Sequence, residues 1–392
     1  MMLLDDQAYA GLRVLDMSQG VAGPYCAALL GLQGADVVKV EPPGGDWIRV
    51  MGGGKAGMTP LAVASNLGKR SLCIDARKPE GRAAIERLAA QADVLVENFR
   101  PGVMARLGLD AAALCARHPA LVYLSISGFG ASGPWVDKPG TDSVLQAYTG
   151  LAMLNREADG RPRRIGMLVP DTVSALYATQ AVGAALYARS RSGRGRHVQI
   201  SLAECCAAFQ AAPIYESALF AGRQAPPTAV PSGVFRTLDG FVTLLVLRQD
   251  MWLRLCDALG RAEWRTASDY TDNTARGRNA AALNAAIATQ LAQRTSAHWI
   301  ATLEAADVLC AEVQDYAQFR EHPQMQHLGA FGELAQPPYQ PLPMPYVPGT
   351  PRGGPIPPAP ATGQHTRAVL AEIGYSADET AALERDGIAV QG

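Results

Sequence analysis

Between Arg13 and Ile126 the chain alternates between two hydrophobic periods, and that alternation restricts the fold more than any other feature. Short runs rich in β-branched residues, Arg13 to Met17, Val37 to Val40, Ser71 to Ile74, Val94 to Glu97 and Leu121 to Ile126, read as strands. Between them lie stretches of helical spacing that begin near Pro24, Pro79 and Pro101. Proline suits a first helical turn, because the N–H it lacks would find no partner there. Strands alternating with helices predict an α/β fold, a mostly parallel sheet with helices on its faces.

The pattern then lengthens. Asp171 to about Arg191 reads as a long helix rich in small residues (Ala175, Ala178, Ala181, Gly183, Ala184, Ala185), followed by a strand over His197 to Leu202. Near residue 222 the composition shifts: Pro226, Pro227 and Pro231 lead into Val234 to Arg236, the Asp239-Gly240 turn and Phe241 to Leu247, a hairpin signature. Residues 248 to about 320 read as helical. Eleven prolines between Pro337 and Pro360 exclude helix and central strand, which predicts an extended connector acting as a plain linker. Helical segments over Thr366 to Ile373 and Asp378 to Asp386 close the chain. A length of 392 residues exceeds one small core, and domains of ~150 residues suggest two lobes. The expected division is 1–222 for the large domain, 223–325 for the small one, and 326–392 for the connector and C-terminal part.

Composition narrows the function classes. With 35 basic against 36 acidic residues the formal net charge is −1, so there is no basic field for nucleic acid or an anionic membrane. The N-terminus lacks a basic region followed by a long apolar one, and no uninterrupted apolar run reaches the ~18 residues a membrane span needs. The expected location is cytoplasmic. Seven cysteines, an odd number without a C-x-x-C pair, read as buried thiols, and the six histidines are dispersed, so no metal is predicted. No G-x-G-x-x-G opens the first helix, so NAD is not expected, and Gly52-Gly-Gly-Lys is too short for a phosphate-binding loop.

Several segments, in order along nearly the whole chain, resemble the class III coenzyme A transferases, the formyl-CoA and carnitine CoA transferase type related to the α-methylacyl-CoA racemases. They are Gly11-Leu-Arg-Val-Leu-Asp with Ala22-Gly-Pro, Gly34-Ala-Asp-Val-Val-Lys-Val-Glu with Gly45-Asp, and Asn66-Leu-Gly-Lys-Arg-Ser-Leu. Ala92-Asp-Val-Leu-Val-Glu-Asn-Phe-Arg-Pro-Gly, Ser127-Gly-Phe-Gly, Gly193-Arg-Gly-Arg-His-Val-Gln-Ile-Ser-Leu and Gly363-Gln-His-Thr-Arg-Ala-Val-Leu complete the set. The resemblance implies a Rossmann-like large domain built from both ends of the chain, a smaller α+β domain from its middle, and an interlocked, ring-like homodimer. It further implies coenzyme A as co-substrate, with acyl-CoA and carboxylic acids as partners.

Asp171, after Pro170 at the start of a helix, admits two readings: an N-cap whose carboxylate accepts backbone N–H bonds, or, by the resemblance, the family's nucleophilic aspartate. A carboxylate attacking a thioester gives a mixed anhydride and free CoA thiolate. Re-attack by the thiolate gives an aspartyl-CoA thioester, which an acceptor carboxylate then opens. Asp142 matches an acidic position near the family's site, against the alternative of a surface turn residue. Oxyanion donors are expected from the backbone of the Ala22-Gly23 turn, where the resemblance puts Val21 and Ala22 at the CoA thiol end and some relatives carry glutamine in place of Val21. The resemblance further places Ile74 and Arg77 at the adenine and phosphates, Asn98 and Phe99 along the pantetheine arm and Arg106 at phosphate, with Lys138 one residue from a lysine of the formyl-CoA transferases and Leu202 at a matching contact. Two other functions compete. A racemase needs a histidine where this chain has Thr141-Asp142, so its two-base mechanism lacks a partner. A non-catalytic acyl-CoA binding protein would use Asp171 only as a helix cap.

Overall fold

The computed structural model describes residues 7–157, 159–223, 225–350 and 352–392, which fall into two compact units, 1–211 with 329–392, and 212–328. In the first unit, strands β1 (Arg13–Asp16), β2 (Asp36–Glu41), β3 (Arg70–Ile74), β4 (Val94–Glu97), β5 (Val122–Ser127) and β6 (His197–Ser201) form one parallel sheet. The second unit holds β7 (Ser232–Arg236), β8 (Phe241–Leu245) and β9 (Leu309–Glu312), and the chain returns to the first for β10 (Phe331–Leu334), β11 (Leu342–Pro345) and β12 (Ala389–Val390). The large sheet has the order β12-β3-β2-β1-β4-β5-β6, with only β12 antiparallel. The last residues of the chain therefore complete a sheet begun by the first.

Side chains alternate across each strand, so two cores form from interleaved residues. Leu15, Val38, Leu72, Leu95 and Tyr123 face one side, where the helix Pro79–Ala89 buries Ala84, Ile85 and Leu88. Val14, Val37, Val94, Val122 and Leu124 face the other. That second face is covered by α1 (Ala22–Gly31) and, after the short helix α2 (Asp142–Tyr148), by the long helix α3 (Val169–Ser192). Neither α1 nor α3 is amphipathic. Their contact is made instead by small side chains, Ala22 and Ala27 with Ala175, Ala178 and Ala185, which let the backbones approach closely.

The second unit packs helices on the three-stranded antiparallel sheet β7-β8-β9, around a core that includes Trp252, Leu283, Ile287 and Trp299. Residues 248 to 320 are not wholly helical as expected, since β9 lies among them. The proline-rich segment also departs from expectation. It is not a plain extended linker, because β11 pairs antiparallel with β10, matching Phe331 to Pro345 and Leu334 to Leu342. A two-stranded ribbon leaves each strand one free edge, where a missing N–H costs no ladder bond, so prolines are tolerated there.

Candidate active site

The strand order reverses at β1, which has β2 on one side and β4 on the other. The connection after β1 leads to α1 on one face, and that after β4 leads to Met104 in the core of the opposite face. In an open parallel sheet such a divergence leaves a crevice at the carboxyl ends of the strands. Asn98 clasps it: its Oδ1 accepts the Gln19 N–H at 2.8 Å and its Nδ2 donates to the Gln19 carbonyl at 2.7 Å.

The turn from β1 into α1 rests on a buried set of charges. Lys69 Nζ lies 2.7 Å from Asp16 Oδ2, and Lys39 Nζ lies 3.0 Å from Asp46 Oδ2, with all four side chains inaccessible to solvent. Asp46 takes the Gly20 N–H on both oxygens at 3.1 Å, while Lys39 donates to the Ser18 carbonyl at 2.9 Å. Burial alone would raise the Asp16 carboxyl, but Lys69 and Lys39 bring it below its ordinary value. Arg49 pairs with Glu41 through Nε at 2.6 Å and Nη2 at 2.8 Å, and Ser71, whose Oγ also holds the Gly363 N–H, donates to the same carboxylate. Six charges with matched partners and few free lone pairs make a stiff base.

On that base, α1 opens without a side-chain cap. Gly20 holds a left-handed φ of 77°. Gly23 is required by space, since a β-carbon there would collide with the Ser18 side chain. The N–H groups of Ala22 and Gly23 meet no acceptor among the described residues, Pro24 has none, and the first bond of the turn runs from the Tyr25 N–H to the Val21 carbonyl at 2.7 Å. The helix start thus presents two free donors at the positive end of its dipole.

A cavity of about 840 Å³ lies along α1, and its wall includes Val21, Tyr25, Asp142, Gln146, Leu168 and Thr172. Asp142 is not a surface turn residue. It is 5% exposed, opens α2, and accepts from Gln146 Nε2 at 2.7 Å on Oδ1 and from the Asp171 N–H at 3.4 Å on Oδ2. Gln146 is itself buried and bonds Ile165 N–H at 2.8 Å and the Met167 carbonyl at 3.1 Å, so it ties α2 to the segment that delivers Asp171. Its signal in the sequence was the four-residue step from Asp142, one turn of helix.

Asp171 sits in the first turn of α3, but Leu168 is the capping residue and no side chain caps the helix, so the capping role is excluded. The carboxylate makes no hydrogen bond or ion pair among the described residues. Burial first, and then the charge of Asp142, push Asp171 up to about 7; burial also raises Asp142. The cavity wall passes through Leu168 and Thr172, either side of Asp171, without including its side chain.

The other expected positions are spread along the carboxyl edge. Ile74 ends β3 with its side chain in the core, and Arg77, 83% exposed, is held by Asp75 through Nε and Nη2 at 2.9 Å. Asn98 and Phe99 follow β4, and Phe99 lines a second, polar cleft of about 650 Å³ with Arg100 and Gly102. Arg106 is exposed at the end of the helix Val103–Arg106, and Lys138 lies 3.4 Å over the Trp135 ring. Leu202, 6% exposed, is buried in the core beneath α1 and α3. The sequence reading missed the hydrogen-bonded line Glu97, Ser125 and His197 in the polar cleft, where Ser125 Oγ lies 2.9 Å from His197 Nε2 and burial raises the Glu97 carboxyl. The three residues stand on three neighbouring strands, a proximity no sequence spacing reveals. No cluster of three or more metal-ligating side chains occurs among the described residues, and none of their helices is long and apolar enough to cross a membrane.

The chain is similar to known proteins over most of its length. A succinate–glutarate CoA-transferase of Agrobacterium fabrum is 32% identical over 381 residues, 93% of this chain and 95% of the relative. A probable fatty acyl-CoA transferase of Mycobacterium tuberculosis is 32% identical over 331 residues, 80% of this chain and 84% of the relative. The crystal structure of a CaiB/BaiF family protein from Brucella suis superimposes with a TM-score of 0.84 at 30% identity, covering 94% of this chain and 99% of the other. Residues 9–366 match the description of CoA-transferase family III, and the chain belongs to that family.

Proposed function

We propose that this CoA-transferase, which moves CoA between an acyl-CoA and a carboxylic acid, works through covalent attack by Asp171. The observation that carries the reading is a carboxylate with no partner of its own, placed at a helix start and pushed up to about 7 beside a second buried carboxylate. An unpaired, poorly solvated carboxylate is a better nucleophile than one satisfied by donors, and it is regenerated at the end of the cycle.

Asp171 adds to the thioester carbonyl, the C–S bond breaks, and CoA leaves as thiolate from a mixed anhydride. The thiolate attacks the aspartyl carbonyl, releasing the donor acid as carboxylate and leaving an aspartyl-CoA thioester. The acceptor carboxylate attacks that thioester and frees the thiolate again. The thiolate then takes the acceptor's acyl group, which restores the Asp171 carboxylate. No step consumes a proton. Each passes through an oxyanion, for which the free N–H groups of Ala22 and Gly23 are the available donors. Asp142 holds the Asp171 backbone and sets the electrostatics of its carboxylate.

Coenzyme A lies along the carboxyl edge in this reading. Ile74 ends β3 with Arg77 just beyond it, and Asn98 and Phe99 follow β4, three strand spacings or ~14 Å away, a span suited to an extended cofactor arm. Arg106 and Lys138 serve its phosphates. A cytoplasmic, interlocked homodimer belongs to the same reading. All seven cysteines are free thiols, as a reducing compartment keeps them, and the exposed apolar side chains Met153, Leu154, Met167 and Phe209 suit a covered surface. The test is exchange of CoA between acyl-CoA thioesters and isotope-labelled acids. Exchange by the wild type and none by Asp171→Ala supports the reading, whereas exchange that survives in the variant overturns it.

A further inference from the structure

The wall of the cavity along α1 has a polarity that the transfer mechanism alone does not require. Val21 precedes the first residue of α1 and Leu32 follows its last, and both line the cavity. It therefore runs the length of the helix, ~15 Å at the α-helical rise per residue. Its charged lining residues are Asp142 and Arg164, and both belong to one end, because Arg164 donates to the hydroxyl of Ser143, next to Asp142. The other end is closed by Leu32, Leu67, Met344 and Tyr346, which pack with Met58 and Ile356 and bring no charge. One polar end and a long apolar body match a ligand with one polar head.

We propose that this cavity receives the acyl chain, and that the chain is the straight apolar chain of a medium-length monocarboxylic acid; the inference rests on the reading of Asp171 given above. The thioester carbon lies at the Asp142 end and the methyl end runs toward Leu67. A dicarboxylate of the same length would bring its second carboxylate against Leu32 and Leu67, where the polar lining side chains, Ser65 and Tyr346, are neutral hydroxyls and no cation pairs it, and an unpaired charge in such surroundings is disfavoured. Each methylene taken from water favours binding by about fourfold.

The experiment is self-exchange by the full-length protein. Butanoyl-, hexanoyl-, octanoyl-, succinyl- and glutaryl-CoA are each mixed with their own isotope-labelled acid, so that no unidentified acceptor is needed. The expected kcat/KM rises about fourfold per methylene from butanoyl to octanoyl, and succinyl- and glutaryl-CoA exchange more slowly than octanoyl-CoA. Ala64→Leu and Leu67→Trp, which fill the cavity away from Asp142, should each lower the ratio of octanoyl to butanoyl exchange by about tenfold. A flat chain-length profile overturns the proposal. So does faster exchange with the diacids that is lost in Arg164→Leu. If no pair exchanges, the Asp171 reading fails. Calorimetric binding of the same thioesters then decides the cavity separately, and equal affinity for butanoyl- and octanoyl-CoA would overturn it.

Discussion

Replacing Asp171 by asparagine should make the protein more stable, and only above the acid range. The folded state holds the Asp171 proton up to about pH 7, whereas the unfolded chain releases it near the ordinary value of 3.8. Between those values the folded state binds more protons than the unfolded one, so wild-type stability falls as pH rises and levels off above about 7. At 1.36 kcal/mol per unit, the shift from 3.8 to about 7 corresponds to about 4 kcal/mol. The carboxylate is not wholly buried, so water recovers part of that sum, and a difference of about 2–4 kcal/mol is expected at alkaline pH. The asparagine variant carries no such penalty. Urea unfolding of both proteins at about pH 4 and about pH 8 measures it directly: the variant should match the wild type at the lower pH and exceed it at the higher. An equal difference at both values, or a less stable variant at the higher one, would refute the claim that Asp171 is a strained carboxylate.

The remaining predictions concern the groups around it. Because the nucleophile must be ionised, kcat/KM should rise about tenfold per pH unit and level off above pH 7, and Asp142→Asn, which removes the like charge, should move that limb toward acid; a limb that stays in place would mean Asp142 does not act on Asp171. Gly23→Ala should drive a methyl group into Ser18, lower thermal stability by about 1–3 kcal/mol and cut kcat at least tenfold, and a variant with wild-type kcat would remove the α1 donors from the mechanism. Lys69→Met should leave the buried Asp16 carboxylate with only Lys39, 4.0 Å away and already paired with Asp46, at a cost of about 3–5 kcal/mol in urea unfolding; a loss under about 1 kcal/mol would show that the buried charges do not brace the turn.

The alternating periods located the six parallel strands of the large sheet to within a residue, since Arg13–Asp16, Asp36–Glu41 and Val94–Glu97 each bury a face that a covered sheet accommodates. Of the strands that escaped, three show the physical reasons. β12 is only two residues long, too short for any period, and is fixed by the Asp75 N–H reaching the Ile388 carbonyl beside its pairing with β3. β9 sits between helices and is defined by pairing with β8, far away in sequence. β11 is masked by its own prolines, whose local preference speaks against strand while a free edge permits it. At the site, the resemblance pointed to Asp171 and Asp142, and their placement shows Asp142 buried against the Asp171 backbone. Gln146 left only its four-residue step from Asp142, whereas the Lys39–Asp46 and Lys69–Asp16 pairs and the cavity wall at Met344 to Pro348 come from segments that meet in the fold, so composition and spacing carried no trace of their joint role.

The central claim is that one side chain bonds covalently to the substrate, first to the acyl group and then to CoA. Wild-type protein incubated with acetyl-, succinyl- or octanoyl-CoA, quenched in acid and digested, should yield a peptide carrying Asp171 with the mass of an aspartyl-CoA thioester, converted by hydroxylamine to the aspartyl hydroxamate. An adduct on any other residue, or the same adduct in Asp171→Ala, would contradict it.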